Sequence, residues 1–317
     1  TGYRQFIGYA PSEDTYSSVL LSHYHYCDGY AYAASSFGEI DSTSGIWTIK
    51  TDPSVSYGTN GFFLKMEDRS NLDLDSSGNA LTMTTSGTGT ATYDNPANNF
   101  PTVNIVDNYF QDATFSNGNN TTATHSGNMA FNTSIFGLSA GLWYWEIDVD
   151  TSGGHDMIGI AQVPADATGN YLGEDSGQYA YYNVSGNIYT NGVGGAYGDT
   201  YTTGDIIGVY LDLTASKLYF AKNGTIQNSG TGYSITAVGS TTNGFYFPAL
   251  GDWNASGSST YKVNFGNGYF GTDLISSPED DAGGIGAFKY DPSTGTFDGA
   301  SKDFRAICTK NIKAYGG

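Results

Sequence analysis

The chain is expected to be all-β, and three observations carry that expectation. Apolar residues alternate with a period of two: in Leu142-Trp-Tyr-Trp-Glu-Ile-Asp-Val-Asp150, Trp143, Trp145, Ile147 and Val149 share one face while Tyr144, Glu146, Asp148 and Asp150 share the other. Gly 44, Tyr 26 and Phe 17 beside only 14% charged residues favour many short strands and tight turns. No stretch sustains helical periodicity.

In chain order, Ser18-Val-Leu-Leu-Ser-His-Tyr-His-Tyr26 is a strand candidate, and Cys27-Asp28-Gly29 a turn. Ala33-Ala-Ser-Ser-Phe-Gly-Glu-Ile40 fits a single helical turn, Asp41–Gly45 a loop and Ile46–Ile49 a further strand. Residues 80–130 are rich in Thr, Ser, Asn and Gly, and by composition alone would be a linker. Within them Ala80–Thr84 is a short strand candidate and Asp94-Asn-Pro-Ala-Asn-Asn-Phe-Pro101 a turn cluster. The stretch Gly141–Gly224 is the organising one. It holds the alternating strand above, then Met157–Ile160, then Gly204–Leu213 with Ile207, Val209, Leu211 and Leu213 on one side, then Lys217–Gly224. Asn223-Gly224 is a two-residue hairpin signal because both residues tolerate positive φ, and the short Thr214–Ser216 link points to a second hairpin. After it, Pro278–Gly286 is an acidic, glycine-rich loop.

In this order, Gly141-Leu-Trp-Tyr-Trp-Glu146, Ile158-Gly-Ile160, Gly204-Asp-Ile-Ile-Gly-Val-Tyr-Leu-Asp-Leu213, Leu218-Tyr-Phe-Ala-Lys-Asn-Gly224, Tyr246-Phe-Pro-Ala249 and Asn264-Phe-Gly266 resemble the SPRY domain family over roughly 131–266. The resemblance implies an antiparallel two-sheet, concanavalin-like sandwich that binds partners through its loops and is not an enzyme. A second resemblance lies outside that span. Asp28-Gly-Tyr-Ala, Phe37-Gly-Glu-Ile-Asp41, Gly45-Ile-Trp47, Tyr57-Gly-Thr-Asn-Gly-Phe-Phe-Leu64 and Asp75-Ser-Ser-Gly-Asn79 look like structural proteins of marine bacteriophages, where a laminin-G-like sandwich precedes a SPRY-like one. Asn117-Gly-Asn-Asn-Thr121 resembles a hairpin of those proteins, and Phe304-Arg-Ala-Ile-Cys-Thr-Lys-Asn-Ile312 resembles their ending, which is expected to return as a strand along the sandwich. Only 27 residues precede Asp28, so the first sandwich is expected as a remnant or as a short tether. The expected organisation is an N-terminal β-rich extension over 1–75, a SPRY-like sandwich over 76–274, and a tail over 275–317 packing back on it.

The formal net charge of −19 argues against nucleic-acid binding, which needs clustered Lys and Arg, and against anionic membranes. No run is long and apolar enough to span a bilayer, and no signal peptide is visible. The chain begins at Thr1 instead of Met, which fits processing or a segment of a longer protein. Cys27 and Cys308, the only cysteines, are expected as free thiols, with a single clip between them as the alternative.

Four groups of residues could carry chemistry. Glu146, Asp148 and Asp150 share a strand face about 6.5–7 Å apart, a spacing that suits paired-carboxylate glycoside hydrolysis. Tyr-Trp-Glu is also what a SPRY strand shows, so no catalytic residue is expected. His23 and His25 are a candidate metal pair with no third ligand evident, and a polar strand face is the default. Asp73-x-Asp75-x-x-Gly78-Asn79 and Glu279-Asp280-Asp281 offer hard oxygens to Ca²⁺, with solvated turns as the default; no other cofactor and no protein-bound metal is expected. Tyr179-Ala-Tyr-Tyr182, Tyr189, Tyr197, Tyr201 and Trp253 fall in or near expected loops. Of these, Tyr181, Tyr182, Tyr197 and Trp253 are the expected ligand-binding residues, since exposed aromatics suit sugar stacking and protein docking alike.

The expected function is that of a non-enzymatic bacteriophage virion structural protein, in a tail fibre or surface appendage, contacting a host glycan or protein through many weak loop contacts. Such a protein is assembled in bacterial cytoplasm and resides on the virion. The alternatives are a capsid decoration or head-fibre protein, and, from another class, a secreted carbohydrate-active enzyme using Glu146 and Asp148. Expected partners are sister subunits in a homo-oligomer, with a trimer as one option, and other virion proteins. Phe6, Ile7, Leu20, Leu21, Phe62, Phe288 and Ile312, outside the sandwich, are expected to supply those contacts.

Overall fold

The structure is a computed structural model and describes residues 6–16, 21–40, 42, 47–68, 71–86, 93–94, 98–110, 112–127, 129–253 and 257–316. The chain clusters into two compact units, residues 1–91 with 95–97 and residues 92–94 with 98–317.

The described part of the first unit is built of two-stranded ribbons. Tyr9–Ala10 pairs with Thr15–Tyr16, Tyr24–Tyr26 with Phe62–Leu64, and Gly38–Ile40 with Trp47–Ile49. These ribbons do not make a laminin-G-like sandwich. Aromatic packing holds them instead: the His25 ring stacks on Phe63 at 4.0 Å and bonds the Tyr57 hydroxyl through Nδ1 at 2.9 Å. The expected helical turn is one short 3₁₀ turn, Ala34–Ser36, which gives way at once to the strand Gly38–Ile40. Gly38 is held there by Trp47, whose ring a Cβ would strike. Residues 80–84 form no strand. The expected strand over Ser18–Tyr26 is seen as Tyr24–Tyr26, and its residues 18–20 lie outside the described residues.

In the second unit the strands, in chain order, are β1 (Ala113–Ser116), β2 (Thr121–Thr124), β3 (Ala130–Thr133), β4 (Leu142–Thr151), β5 (Asp156–Ala161), β6 (Gln178–Tyr182), β7 (Asn187–Thr190), β8 (Val193–Ala196), β9 (Ile206–Asp212), β10 (Lys217–Lys222), β11 (Thr225–Ile226), β12 (Tyr233–Ser234), β13 (Phe247–Asp252) and β14 (Thr260–Asn264). Short pieces follow: β15 (Tyr269–Phe270), β16 (Asp273–Leu274), β17 (Glu279–Asp280), β18 (Ala287–Phe288) and β19 (Arg305–Ala306). One sheet runs β11-β10-β9-β4-β14-β2-β1, with β12 beside β10 and β19 beside β4; the other runs β8-β7-β6-β5-β13-β3. Every pairing in them is antiparallel except β4 with β19. The chain is thus all-β, with an antiparallel two-sheet sandwich, and Asn223-Gly224 turns β10 into β11 at positive φ on both residues.

The two faces of β4 are packed by different means. Trp145 lies opposite Val209, which lies opposite Phe220, so one row of large side chains points at the other sheet. Across the gap Ile158, Ile160, Tyr181 and Leu250 complete that core, and Tyr181 meets Phe220 at 4.9 Å. The opposite row is Tyr144, Tyr210 and Tyr219, where the alternation would put solvent. These tyrosines are buried because the C-terminal segment lies over them. Phe288 meets Tyr144 at 4.8 Å, Phe297 meets Tyr210 at 4.8 Å, and Phe304 meets Phe297 at 4.8 Å.

The C-terminal segment adds β19 parallel to β4, with Trp143 beside Arg305, and then forms the one α-helix among the described residues, Thr309–Tyr315. The tail thus returns as a strand along the sandwich at Arg305–Ala306, and the expectation is corrected only beyond it, where the Cys308 carbonyl takes the Ile312 N–H and opens the helix. Two expected assembly contacts are also corrected, because Phe288 is buried and Ile312 packs against the core of its own sandwich. Phe62 is buried in its ribbon, Phe6, Ile7 and Leu21 are exposed, and Leu20 lies outside the described residues. Cys27 and Cys308 are free thiols.

Trp145 is fully buried at the centre of this packing. Trp145→Ala should cost roughly 3–5 kcal/mol through the cavity it leaves. Urea denaturation measures the loss, and a midpoint equal to that of the parent protein would show the strand phase to be wrong.

Candidate functional site

The four expected ligand-binding aromatics divide into two pairs on opposite faces of one sheet. Tyr179–Tyr182 belongs to strand β6, not to a loop, so its side chains alternate across the sheet. Tyr181 points inward and is fully buried. Its ring lies 5.2 Å from Tyr201 and 6.0 Å from Tyr197, and its hydroxyl donates to the Asp199 carbonyl. Tyr197 is buried beside Phe220 at 5.8 Å. Burial raises the phenol pKa of both. Tyr181 and Tyr197 are therefore core residues, and their placement in exposed loops is corrected.

Tyr182 and Trp253 come together on the outer face, where Tyr182 is itself buried in β6, so its expected exposed loop position is corrected as well. Trp253 follows the end of β13 and is half-buried, with Tyr171 stacked on it at 4.7 Å and Tyr182 and Tyr189 each 5.4 Å away at steep angles. His155 stands edge-on to Trp253 at 6.5 Å and bonds the Tyr182 hydroxyl through Nδ1. Beneath these rings a small apolar cluster of Phe131, Met157, Leu172 and Ala180 fixes their positions. Tyr182 is reached by the period of β6, and Tyr189 by the next strand. Tyr171 and His155 were not singled out by pattern: Tyr171 sits in the long link from β5 to β6, where no periodicity marks an inward or outward side.

A second exposed feature was also missed. In Asn104-Ile-Val-Asp-Asn-Tyr109, Val106 and Tyr109 are 81% and 85% exposed, with Ile105 half-exposed beside them. The turn that presents them is pinned. The buried Asp107 carboxylate accepts the Thr133 N–H at 2.8 Å, the Thr133 hydroxyl at 2.5 Å and the Asn132 amide at 3.2 Å, and the Asn104 side chain caps the Val106 N–H at 3.0 Å. Hydrophobic side chains mark core in a pattern reading, so this loop carried no functional signal.

Glu146, the candidate acid of the hydrolase alternative, is sealed. It lies between β4 and the C-terminal segment with no exposed surface. Its Oε1 accepts the Tyr290 N–H at 2.8 Å and the Tyr144 hydroxyl at 3.0 Å; its Oε2 accepts the Lys289 N–H at 2.8 Å and the Asn264 amide at 3.2 Å. Asp150 is paired with Lys262 at 2.7 Å. Neither oxygen of Glu146 can reach a substrate, so the paired-carboxylate geometry for glycoside hydrolysis is not formed.

Comparison with known proteins finds similarity over the central strands. Residues 142–267 match the SPRY domain. The Ran-binding proteins 9/10 homolog of Drosophila melanogaster is 34% identical over 88 residues, 27% of this chain and 9% of that protein. Ran-binding protein 9 of Homo sapiens is 32% identical over 88 residues, 27% of this chain and 12% of that protein. The chain therefore spans only about a tenth of the length of these curated relatives. Among solved structures, the SPRY domain of human HERC1 is similar with a TM-score of 0.39 and 20% identity, covering 48% of this chain and 91% of that one.

The matched segment holds β4 to β14 and Trp253, while Lys289 and Tyr290, which occupy Glu146, come from beyond it. The acidic turns considered for Ca²⁺ are filled by backbone donors. Asp75 takes the N–H groups of Phe63, Ser77 and Leu81, and Asp281 those of Ile285, Gly286 and Ala306. His25 is stacked and bonded to Tyr57, and burial holds its pKa down at about 4, so it is neutral at pH 7. Among the described residues no three His, Cys, Asp or Glu side chains gather as a metal site.

Burial pushes the Glu146 carboxyl up to about 7, against the pull of its four donors. The folded chain then holds a proton more tightly than the unfolded one. The resulting stability is fully present below the unfolded value near 4.5 and is lost as pH rises through about 7. Glu146→Gln removes this dependence, on the order of 3 kcal/mol. It also turns one acceptor into a donor facing a backbone N–H, at a cost of about 1–3 kcal/mol. Urea melts of both proteins at pH 5 and pH 8 test this; parallel pH dependences in parent and variant would sink it.

Proposed function

We propose that the chain is a non-enzymatic protein-interaction module whose contact surface is the aromatic patch around Trp253. One observation carries the reading: a half-buried tryptophan ringed by three tyrosines and a histidine, held on the outer face of a six-stranded sheet. Such anchors dominate binding where they can be desolvated. The SPRY match supports it, and so does the binding role in the names of the Ran-binding relatives. The sealed Glu146 removes the support for the hydrolase alternative. As a finer reading, the module belongs to the surface of a bacteriophage virion, in a tail fibre or other appendage used for host attachment, as a homo-oligomer beside other virion proteins. What supports this finer reading is the resemblance of the Tyr57–Leu64, Asp75–Asn79 and Phe304–Ile312 segments to phage structural proteins.

Two measurements check the two levels. Peptides selected from a random display library on the full chain should lose about tenfold or more in affinity against Trp253→Ala, and should bind Trp47→Ala unchanged. Ligands indifferent to Trp253 would remove the patch as the contact surface. Mass spectrometry of purified particles from the source should find this chain, with immunogold label on an appendage. Its absence from particles would remove the virion reading and leave the binding module standing.

A further inference from the structure

We infer that the Trp253 patch accepts a cationic side chain, a lysine or arginine carried by a basic segment of a partner protein. The inference rests on the reading of the patch as a contact surface and adds the chemistry of what fills it.

The first ground is the distribution of charge. From Ser70 through Ser216 the sequence holds no lysine or arginine, and none occurs in any of the six strands of the sheet that carries the patch. In the second unit these residues fall on the other sheet or in the C-terminal segment, and several are already engaged. Lys222 pairs with Asp205, Lys262 with Asp150 and Asp273, and Lys302 with Asp212. Arg305 lies 3.8 Å from the centre of the Tyr315 ring.

The second ground is the acid placed at the rim. Glu174 accepts the Asn170 amide at 2.9 Å and the N–H of Tyr171 at 3.4 Å, and Tyr171 is the ring stacked on Trp253. Asp175, exposed, shares the same Asn170 amide at 3.2 Å. Among the described residues neither carboxylate forms an ion pair. Burial raises the Tyr171 phenol first, and the nearby charges of Glu174 and Asp175 push it the same way, as expected where negative potential surrounds the rings.

The third ground is complementarity. An aromatic face attracts a cation through its quadrupole, and a carboxylate beside it adds an acceptor for a group that only donates. Glu174 and Asp175 also carry full negative charge, which a cation answers and a neutral sugar does not. One face of Trp253 is also taken by Tyr171, which leaves less flat surface for a pyranose ring. A second copy of this chain is the least suited occupant, since it brings another −19 and the same acids.

The test uses the full chain labelled with ¹⁵N. Its four tryptophans report separately through their indole N–H signals, and Trp143 and Trp145, both fully buried, serve as internal controls. The probes are an acetylated, amidated Gly-Lys-Gly-Arg-Gly peptide, the same peptide with Gln in place of Lys and Arg, and laminaripentaose. The cationic peptide should move the Trp253 signal saturably, and the other two should leave it in place. Trp253→Ala should weaken the peptide about tenfold. Asp175→Asn with Glu174→Gln should weaken it about threefold and flatten its dependence on salt between 50 and 500 mM. If Trp253→Ala does not fold, the charge variants alone decide.

A neutral peptide or laminaripentaose moving Trp253 as strongly would overturn the cationic reading and leave the patch as a contact surface. A cationic peptide that binds while Trp253 stays still would overturn both. No saturable shift with the cationic peptide up to 10 mM would overturn the cationic reading, leaving the display selection to judge the patch.

Discussion

The structure depends on one strand being buried on both sides. β4 places Trp143, Trp145, Ile147 and Val149 against the second sheet, and Tyr144 and Glu146 against the C-terminal segment. A strand at the surface of a sandwich normally alternates apolar with polar because one face meets water. Here the polar row is tyrosines and one carboxylate, so the covering segment must supply partners as well as apolar surface. It does both: Phe288, Phe297 and Phe304 cover the tyrosine rings, and the N–H groups of Lys289 and Tyr290 meet Glu146. A buried carboxylate is tolerated only when its lone pairs are filled, and four donors fill these.

That arrangement explains why a motif able to suggest catalysis is structural. The acid that could have acted as a proton donor is the pin between sheet and tail. Its raised pKa is a consequence of desolvation, not of tuning toward a substrate, since no cleft opens to it. The proposed contact surface lies instead on the far side of the other sheet. There a small second cluster of Phe131, Met157, Leu172 and Ala180, with the buried Tyr171 and Tyr182, holds Tyr189 and Trp253 partly open to solvent. The rings pack on a six-stranded sheet and on one another, and groups held in place by such packing lose less entropy on binding.

The pinned turn Ile105–Tyr109 is a second display of apolar groups of the same kind. Its exposed residues are supported by the buried Asp107 in place of apolar packing, and it lies against β3, at the edge of the sheet that carries the Trp253 patch.

Much of the fold was legible in the sequence. Period-two alternation marked β4 and β9 and sorted their residues into faces, and Asn223-Gly224 placed a hairpin, because these depend only on local backbone geometry and on neighbours two residues apart. The absence of Lys and Arg from 70–216 is equally a property of the sequence alone. Which face meets water is another matter. Tyr181 and Tyr182 are adjacent and chemically identical, yet one is core and the other lines the patch, because the side that holds the opposing sheet is set by contacts far apart in the chain. The sealing of Glu146 by residues more than a hundred positions away, and the gathering of Tyr171, Tyr182, Tyr189 and Trp253 from four segments, were decided only by the tertiary structure. Alternation tells that a strand has two sides; burial is a property of what packs against them, and no local pattern contains it.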